Sequence, residues 1–337
     1  MSATDVAKLQ LNWPIDELNQ NLSSVWGPFS VECLPSVDST NSELQRRFKD
    51  FQQKVASIRK TEGEEAAQFI SAPATLLIAE TQTAGRGRHG KVWQSNAASS
   101  LTFSIGIPVR LSNWSGLSLV VGLAIAQALH PDIGLKWPND LWMRAKEGGL
   151  PGPKLGGILI EAVSQAQMND SSASKQVNIS YLIVGVGINI APQQYPELDQ
   201  AMACVQDVLP QAVNTEIILP IASSILKALE KFQDNDQGFL PFHAEFVDKD
   251  VLAGHPVVLS DGREGWALGV DTKGQLLVKT EDHTEAILSG EVSVRPVSRP
   301  ESLEAIHSSP PEVVQNSVAS VIQQDNLDQN QTSSDPS

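Results

Sequence analysis

The chain is short of cations, cysteine and long apolar runs, and each shortage removes a class of protein. Its 24 lysines and arginines face 39 aspartates and glutamates, a net charge of −15. Nonspecific binding of nucleic acid needs a basic face, so this balance argues against a nucleic-acid partner. Two cysteines, Cys33 and Cys204, in 337 residues make neither a disulfide framework nor a metal-like cluster. They are expected as buried, reduced thiols of a cytosolic protein. The longest apolar run, roughly residues 117–129, is broken by glycine and serine and is too short to span a bilayer. No apolar stretch with a basic flank opens the chain, so no secretory signal is expected. What is present is a 41% apolar share, enough for a real core. The sum points to a soluble cytoplasmic protein with no membrane partner.

Four regions are expected: an N-terminal extension over 1–30, a principal domain over 31–250, a small β module over 251–298 and a disordered tail over 299–337. The extension is polar, with one short apolar stretch suited to the surface. In "VECLPSVDSTNSELQRRF" a short strand and turn lead into a helix. Thr40 and Glu43 have capping-box spacing there, and Leu44, Phe48, Phe51, Val55 and Ile58 follow at helical intervals. "KTEGEEAAQF" reads as loop. "ATLLIAE", "SLTFSIGIPV", "GLKWPNDLWM", "KLGGILIEAV" and "SYLIVGVGINI" read as strands, the last three too apolar to be one-sided surface elements. "LSLVVGLAIAQALH" has the period of a buried helix. A mixed sheet with a hairpin meander in its middle follows. Pro220 is expected to open a further helix, and "FLPFHAEFV" to add another. After Val251, short strands with turn residues every eight to twelve positions mark an all-β module.

The segment Gly85–Gly90, GRGRHG, fits the G-x-G-x-x-G pattern of a dinucleotide site. That fingerprint needs its last glycine to open a helix and an acid about twenty residues on. Here Gly90 runs into a poor helix former and then a strand, and the later region is "FSIGIPVR". A nicotinamide enzyme is therefore set aside. What remains is a loop carrying Arg86, Arg88 and Lys91. Guanidinium forks match carboxylate and phosphate oxygens, so the loop suits the joining of two anions, such as a carboxylate and a nucleotide phosphate. The plain alternative is an exposed basic loop that aids solubility.

Taken together, "DSTN", "ETQTAGRGRHGKVW", "KWPNDL", "KLGGILIE" and "GVGINI", in that order, resemble the catalytic core of biotin protein ligases. The similarity runs from about Cys33 to about Val297. It implies an α+β fold, a mixed β-sheet with flanking helices related to class II synthetases, followed by a small SH3-like β-barrel. It also implies an activity: biotin and ATP, with magnesium (Mg2+) held mainly by the ATP phosphates, give biotinyl-5′-AMP. Biotin then passes to a lysine of the biotin carboxyl carrier protein of acetyl-CoA carboxylase. On this resemblance Ser39, Thr40, Asn41, Gln82, Arg86, Arg88, Trp93, Lys154, Gly156 and Gly157 border biotin. Arg88, Lys91, Asn139, Asp140, Lys154 and Asn189 meet ATP or the adenylate. Lys154, Asp140 and Arg88 carry the chemistry, with Asp140 helping to deprotonate the incoming lysine.

Plainer readings stand beside these roles. Thr40 can be a helix cap, Pro138-Asn139-Asp140 a turn, Trp93 core, and Lys154 a solvated strand end. Only about thirty residues precede the core, so no winged-helix DNA-binding domain is expected. The connections at 144–153 and 164–178 exceed the family's minimal hairpins, and either a monomer or a homodimer fits. The nearest rival is a lipoate or octanoyl ligase-type acyltransferase on a related core. A noncatalytic sensor of biotin or adenylate is a second.

Overall fold

Strands rich in Val, Ile and Leu on both faces belong in the middle layer of a sandwich, covered by helices on either side. The computed structural model bears this out. It describes residues 11–68, 70–111, 113–144, 151–164, 180–193, 202–234, 237–280, 283–288 and 294–296. The principal sheet is built from β1 (Phe29–Leu34), β2 (Ala74–Ala79), β5 (Ser100–Val109), β6 (Ile133–Lys136), β7 (Asp140–Met143), β8 (Lys154–Ser164) and β9 (Ser180–Asn189). A separate two-stranded hairpin pairs β3 (Gly85–Arg86) with β4 (Val92–Trp93). The seven strands lie in the order β1-β2-β5-β9-β8-β7-β6. Only β1 and β2 run parallel; every other neighbouring pair is antiparallel. The sheet is mixed with a meander through its middle, as expected.

Four longer helices cover it: α1 (Ile15–Trp26), α2 (Thr40–Glu62), α3 (Leu117–Leu129) and α4 (Asn214–Gln233). Side chains alternate across each strand. Leu76, Ile78, Leu182 and Val184 join the large core with α1, α3 and α4. Leu77, Tyr181 and Ile183 face the other way, onto Leu44 and Phe48 of α2. The Phe48 and Tyr181 rings stack 4.4 Å apart there. The periodicity expected for α2 is thus the stripe that seats it, and its N-terminus points at the sheet.

Several local expectations are corrected. The apolar stretch of the extension is not superficial: Leu18 and Leu22 of α1 are fully buried in the main core. "KTEGEEAAQF" is not loop, because α2 runs to Glu62 and a short helix follows over Glu64–Gln68. "GLKWPNDLWM" is not one strand; a turn with a cis Trp137–Pro138 bond splits it into β6 and β7. Pro220 does not open α4 but sits inside it, the helix starting at Asn214. The cap of α2 is Ser39, whose hydroxyl accepts a long 3.5 Å bond from the Ser42 N–H, so Thr40 is the first helical residue. Cys33 is only partly buried, whereas Cys204 is buried; both are free thiols.

The C-terminal module is a five-stranded antiparallel sheet of β10 (Pro256–Leu259), β11 (Glu264–Val270), β12 (Leu276–Lys279), β13 (Thr284–Ile287) and β14 (Val294–Pro296), in the order β13-β12-β11-β10-β14. Its β11–β12 turn is anchored to the principal domain. The Trp137 indole N–H donates to Gly274 O at 3.1 Å and the Ser115 hydroxyl to Lys273 O at 2.6 Å. Among the described residues no helix is long and apolar enough to cross a membrane. The expected tail over 299–337 and the greater part of the two long connections lie outside the described residues.

Candidate functional site

The turn ahead of α2 is held by charge. Asp38 takes a two-pronged bond from Arg46, at 2.8 and 2.7 Å, and accepts the Ser39 N–H at 2.7 Å. The Arg46 guanidinium and the Ser39 N–H hold the Asp38 carboxyl down at about 2. Ser39, Thr40 and Asn41 follow, all buried. Gln82 crosses to this turn from the strand β2 side, its Oε1 accepting the Thr40 N–H at 2.8 Å. Asn41 reaches into the sheet. Its Nδ2 donates to Leu159 O at 3.2 Å and to Glu161 Oε2 at 2.8 Å, while Ser104 Oγ lies 2.6 Å from its Oδ1. Both amide hydrogens of Asn41 are spent on the protein.

The basic loop is a β3–β4 hairpin closed by Gly87 N–H to Lys91 O at 2.7 Å. Gly90 is followed by strand β4, not by a helix, which removes the dinucleotide reading physically. His89 and Gly90 take left-handed backbone, φ 53° and 74°, and so fold the loop tip. Arg86 and Arg88 leave on different errands. Arg86 pairs with Glu161, Nη2 to Oε1 at 2.9 Å, and touches Ser42 Oγ at 3.3 Å. Arg88 crosses to the β6–β7 turn, where its Nη1 donates to Asn139 Oδ1 at 3.2 Å. Asn139 is itself fixed by donating to Ile158 O at 2.7 Å. Burial lowers the Arg88 guanidinium from its ordinary value, with the Asp140 charge opposing that shift. Among the described residues no carboxylate lies within ion-pairing distance of Arg88. The Lys91 side chain stays exposed, and no described contact joins it to this group.

Beside Arg88, Lys154 Nζ donates to Asp140 Oδ1 at 2.7 Å. A β-bulge makes this possible. Asp140 pairs with Gly157 and Leu141 with Gly156, but Trp142 pairs with Lys154, leaving Leu155 as an extra residue on β8. Such a bulge re-aims a side chain, here turning Lys154 onto the face that Asp140 and Gly157 share. A Cβ on Gly157 would lie 3.4 Å from Asp140 Oδ1 and 3.6 Å from Lys154 Nζ, so glycine keeps the surface beside the pair flat. Gly156 serves packing instead: a Cβ there would lie 2.6 Å from Gly187 O.

Trp93 closes the hairpin onto the sheet, its indole lying against Gly187, where any Cβ would collide with it. At the end of β9, Asn189 is 2% exposed and donates from Nδ2 to Ala203 O at 3.1 Å. Its Oδ1 is buried and finds no partner among the described residues. The oxygen is thus an enclosed acceptor whose hydrogen-bonding capacity is unused among the described residues.

The structure therefore gathers Arg88, Asn139, Asp140 and Lys154 in one group. Ser39, Thr40, Asn41, Gln82 and Arg86 form a second, around Glu161. Two members were missed in the sequence. Glu161 is a lone carboxylate in the apolar run "GGILIE", a readable signal of a built contact. Ser104 in "SLTFSIGIPV" gave none, because a serine in a buried strand has many uses.

Family models match in two places. The biotin/lipoate A/B protein ligase family matches residues 55–179, and the biotin protein ligase C terminal domain matches residues 258–295. The chain is 30% identical over 301 residues to the biotin–[acetyl-CoA-carboxylase] ligase of Mycobacterium tuberculosis, spanning 84% of this chain and 97% of that protein. It is 27% identical over 277 residues to the bifunctional ligase/repressor BirA of Escherichia coli, spanning 79% and 74%. Among solved structures it is similar to the biotin protein ligase from Aquifex aeolicus in complex with biotin and ATP. There the identity is 28% and the TM-score 0.57, over 79% of this chain and 99% of that one.

Proposed function

The chain belongs to the biotin protein ligases, and from that premise we propose how its two residue groups carry out ATP-dependent biotin ligation. The match of the C-terminal module to the biotin protein ligase C terminal domain favours this over a lipoate or octanoyl transferase. A carboxylate resists attack by an amine because its leaving group would be oxide. Joining it to AMP supplies a phosphate monoester as leaving group, at the cost of bringing two anions together.

The Ser39–Asn41 turn and Gln82 hold the ring of biotin, with Trp93 packed against it and Arg86 at its rim. The biotin carboxylate then reaches the second group. Arg88 and Lys154 face the carboxylate and the α-phosphate and stabilise the charge that gathers there in the transition state. Asn139 orients Arg88, and Asn189, at the end of β9, lies on the adenine side of the nucleotide. Among the described residues no three of His, Cys, Asp and Glu come together, and Asp140 is engaged by Lys154. A magnesium ion carried on the ATP phosphates would supply further positive charge beside Arg88 and Lys154.

Transfer follows. A lysine amine, with an ordinary pKa of about 10.4, must lose its proton to attack the adenylate carbonyl. Asp140 accepts it through the oxygen not engaged by Lys154. The hairpin, latched by Arg88 on Asn139, keeps water from the mixed anhydride. The acceptor is the biotin carboxyl carrier protein of acetyl-CoA carboxylase.

One observation carries this reading: the half-buried guanidinium of Arg88, ion-paired with no described carboxylate, stands within reach of the Asp140 charge beside the Lys154–Asp140 pair. The deciding experiment is incubation with ATP, magnesium, biotin and a carrier fragment, followed by mass spectrometry. A single biotinyl mass gain on one carrier lysine is expected. Unmodified carrier would overturn the proposal.

A further inference from the structure

Asn41, Ser104 and Thr40 form a hydrogen-bond chain whose direction can be counted. Glu161 Oε2 and Leu159 O can only accept, so the nitrogen of the Asn41 amide must face them, at 2.8 and 3.2 Å. Its oxygen therefore faces Ser104. Ser104 Oγ is 2.6 Å from Asn41 Oδ1 and 2.6 Å from Thr40 Oγ1. Contacts that short between oxygens each need a hydrogen, and two hydroxyls supply only two. Asn41 Oδ1 has none to give, so the Ser104 hydrogen goes to Asn41. The Thr40 hydrogen must then go to Ser104. It is not available to Gln82 Oε1, which lies farther off at 3.2 Å and already accepts the Thr40 N–H. Thr40 Oγ1 is left with lone pairs alone.

We propose that Glu161 is a positioning residue that, together with the Leu159 carbonyl, sets the direction of this chain and so makes Thr40 Oγ1 an acceptor for a ring N–H of the substrate. The inference rests on the reading that biotin lies against Thr40. A cyclic urea offers N–H donors to such an oxygen. A ring atom bearing only lone pairs meets repulsion there. Glu161 thereby acts at a distance on which heterocycle the site accepts, while never touching it. It also holds Arg86, Nη2 to Oε1 at 2.9 Å, so a single carboxylate ties the biotin turn to the basic loop.

Two variants break the chain differently. In Ser104→Ala the Thr40 hydrogen is released while the Glu161–Arg86 pair stays intact. In Glu161→Gln the new amide can donate to Asn41 and favour its turned-over form, while Leu159 O still favours the original, so the two directions of the chain compete. The probes are biotin and two cyclic carbamate analogues of biotin, in each of which one ring N–H is replaced by oxygen. Biotin-dependent ATP–pyrophosphate exchange gives kcat and KM for each. Wild type should prefer the urea over at least one carbamate. Ser104→Ala should cut that ratio by about tenfold, the worth of one hydrogen bond, and Glu161→Gln should cut it in the same direction by a smaller factor. The change should fall on KM, with kcat at saturating biotin little altered. If the ratio stays at its wild-type value in both variants while KM rises alike for every ligand, the residues are only structural and the proposal falls. A loss of discrimination in Glu161→Gln alone also overturns it, because that effect would come through Arg86. Failure of the wild type to activate biotin at all would instead reject the assignment of biotin to this site, and the inference with it.

Discussion

Lys154 and Asp140 stand 2.7 Å apart because β8 carries one residue more than β7 between their pairing points. Were Leu155 paired with Trp142 in regular register, strand alternation would send the lysine to the opposite face of the sheet. The pair places one fixed positive charge and one proton acceptor on the same few ångströms of surface. That is what a reaction that first joins two anions and then deprotonates an amine requires.

Lys154→Ala should lower biotin-dependent ATP–pyrophosphate exchange by about a hundred- to a thousandfold, the usual cost of one preorganised donor at a charged transition state. An unchanged exchange rate would reject its role. Asp140→Asn should slow transfer from preformed biotinyl-AMP to the carrier more than it slows formation of the adenylate. Single-turnover assays of the two steps separate them.

Arg88→Gly removes the side chain that joins the hairpin to Asn139 at 3.2 Å. The loop should open more often and release its adenylate. More biotin should then appear on lysines of a bystander protein, measured by streptavidin blot beside the wild type.

Gly185→Ala would drive a methyl group into the Asn41 amide, on a strand clamped from both sides by β5 and β8. Neither backbone nor buried amide has room to give, so about 1–3 kcal/mol of stability should be lost, as for other overpacked cores. The melting temperature should fall and KM for biotin should rise together. A normal KM in a destabilised variant would show that Asn41 does not govern the biotin turn.

Asp250 is a fully buried carboxylate just ahead of the C-terminal β strands. It bridges to Leu135 of β6, its Oδ1 accepts the Leu252 N–H at 2.8 Å, and its Oδ2 is enclosed without a partner among the described residues. Burial pushes its carboxyl up to about 6, against the opposing N–H groups of Leu252 and Ala253. Between its ordinary value and about 6 the folded state holds the proton more tightly than the unfolded state. Stability is therefore greatest below that window and falls as pH rises through it. Asp250→Asn removes this dependence. The variant should gain in melting temperature relative to wild type as pH goes from 4 to 7.5; a constant difference would refute the assignment.

Gly274 has φ +77°, and a Cβ there would lie 2.8 Å from the Gly116 Cα. Gly274→Val should unseat the β11–β12 turn from Trp137, and with it the turn that carries Asn139 and Asp140. Displacements of that order cost about a hundredfold in rate. Exchange activity should fall while circular dichroism of the β module is kept; full activity would show that the turn is not coupled to the site.

The order of motifs in the sequence was enough to read a mixed sheet with flanking helices and a terminal β module. Period and turn chemistry are local properties, and here they agree with the packing. Thus Phe48 lies in the helical stripe that its spacing announced, and Gly90 leads into a strand because nothing after it favours helix. Local reading failed where tertiary contacts override propensity. Pro220 sits inside α4 because that helix buries Ile217, Ile218 and Ile221 on either side of it. Trp137–Pro138 became a turn because β6 must fold back on β7.

From its residues alone the chain declared its acidic surface, its apolar strands and the side chains able to handle anions, since composition and spacing need no coordinates. The three-dimensional arrangement decided the rest. It was a bulge that turned Lys154 toward Asp140, a carboxylate 120 residues from Asn41 that oriented its amide, and a folded loop that sent Arg88 to Asn139. Each is a meeting of groups far apart in the chain, and only the closing of the sheet and its helices sets such distances.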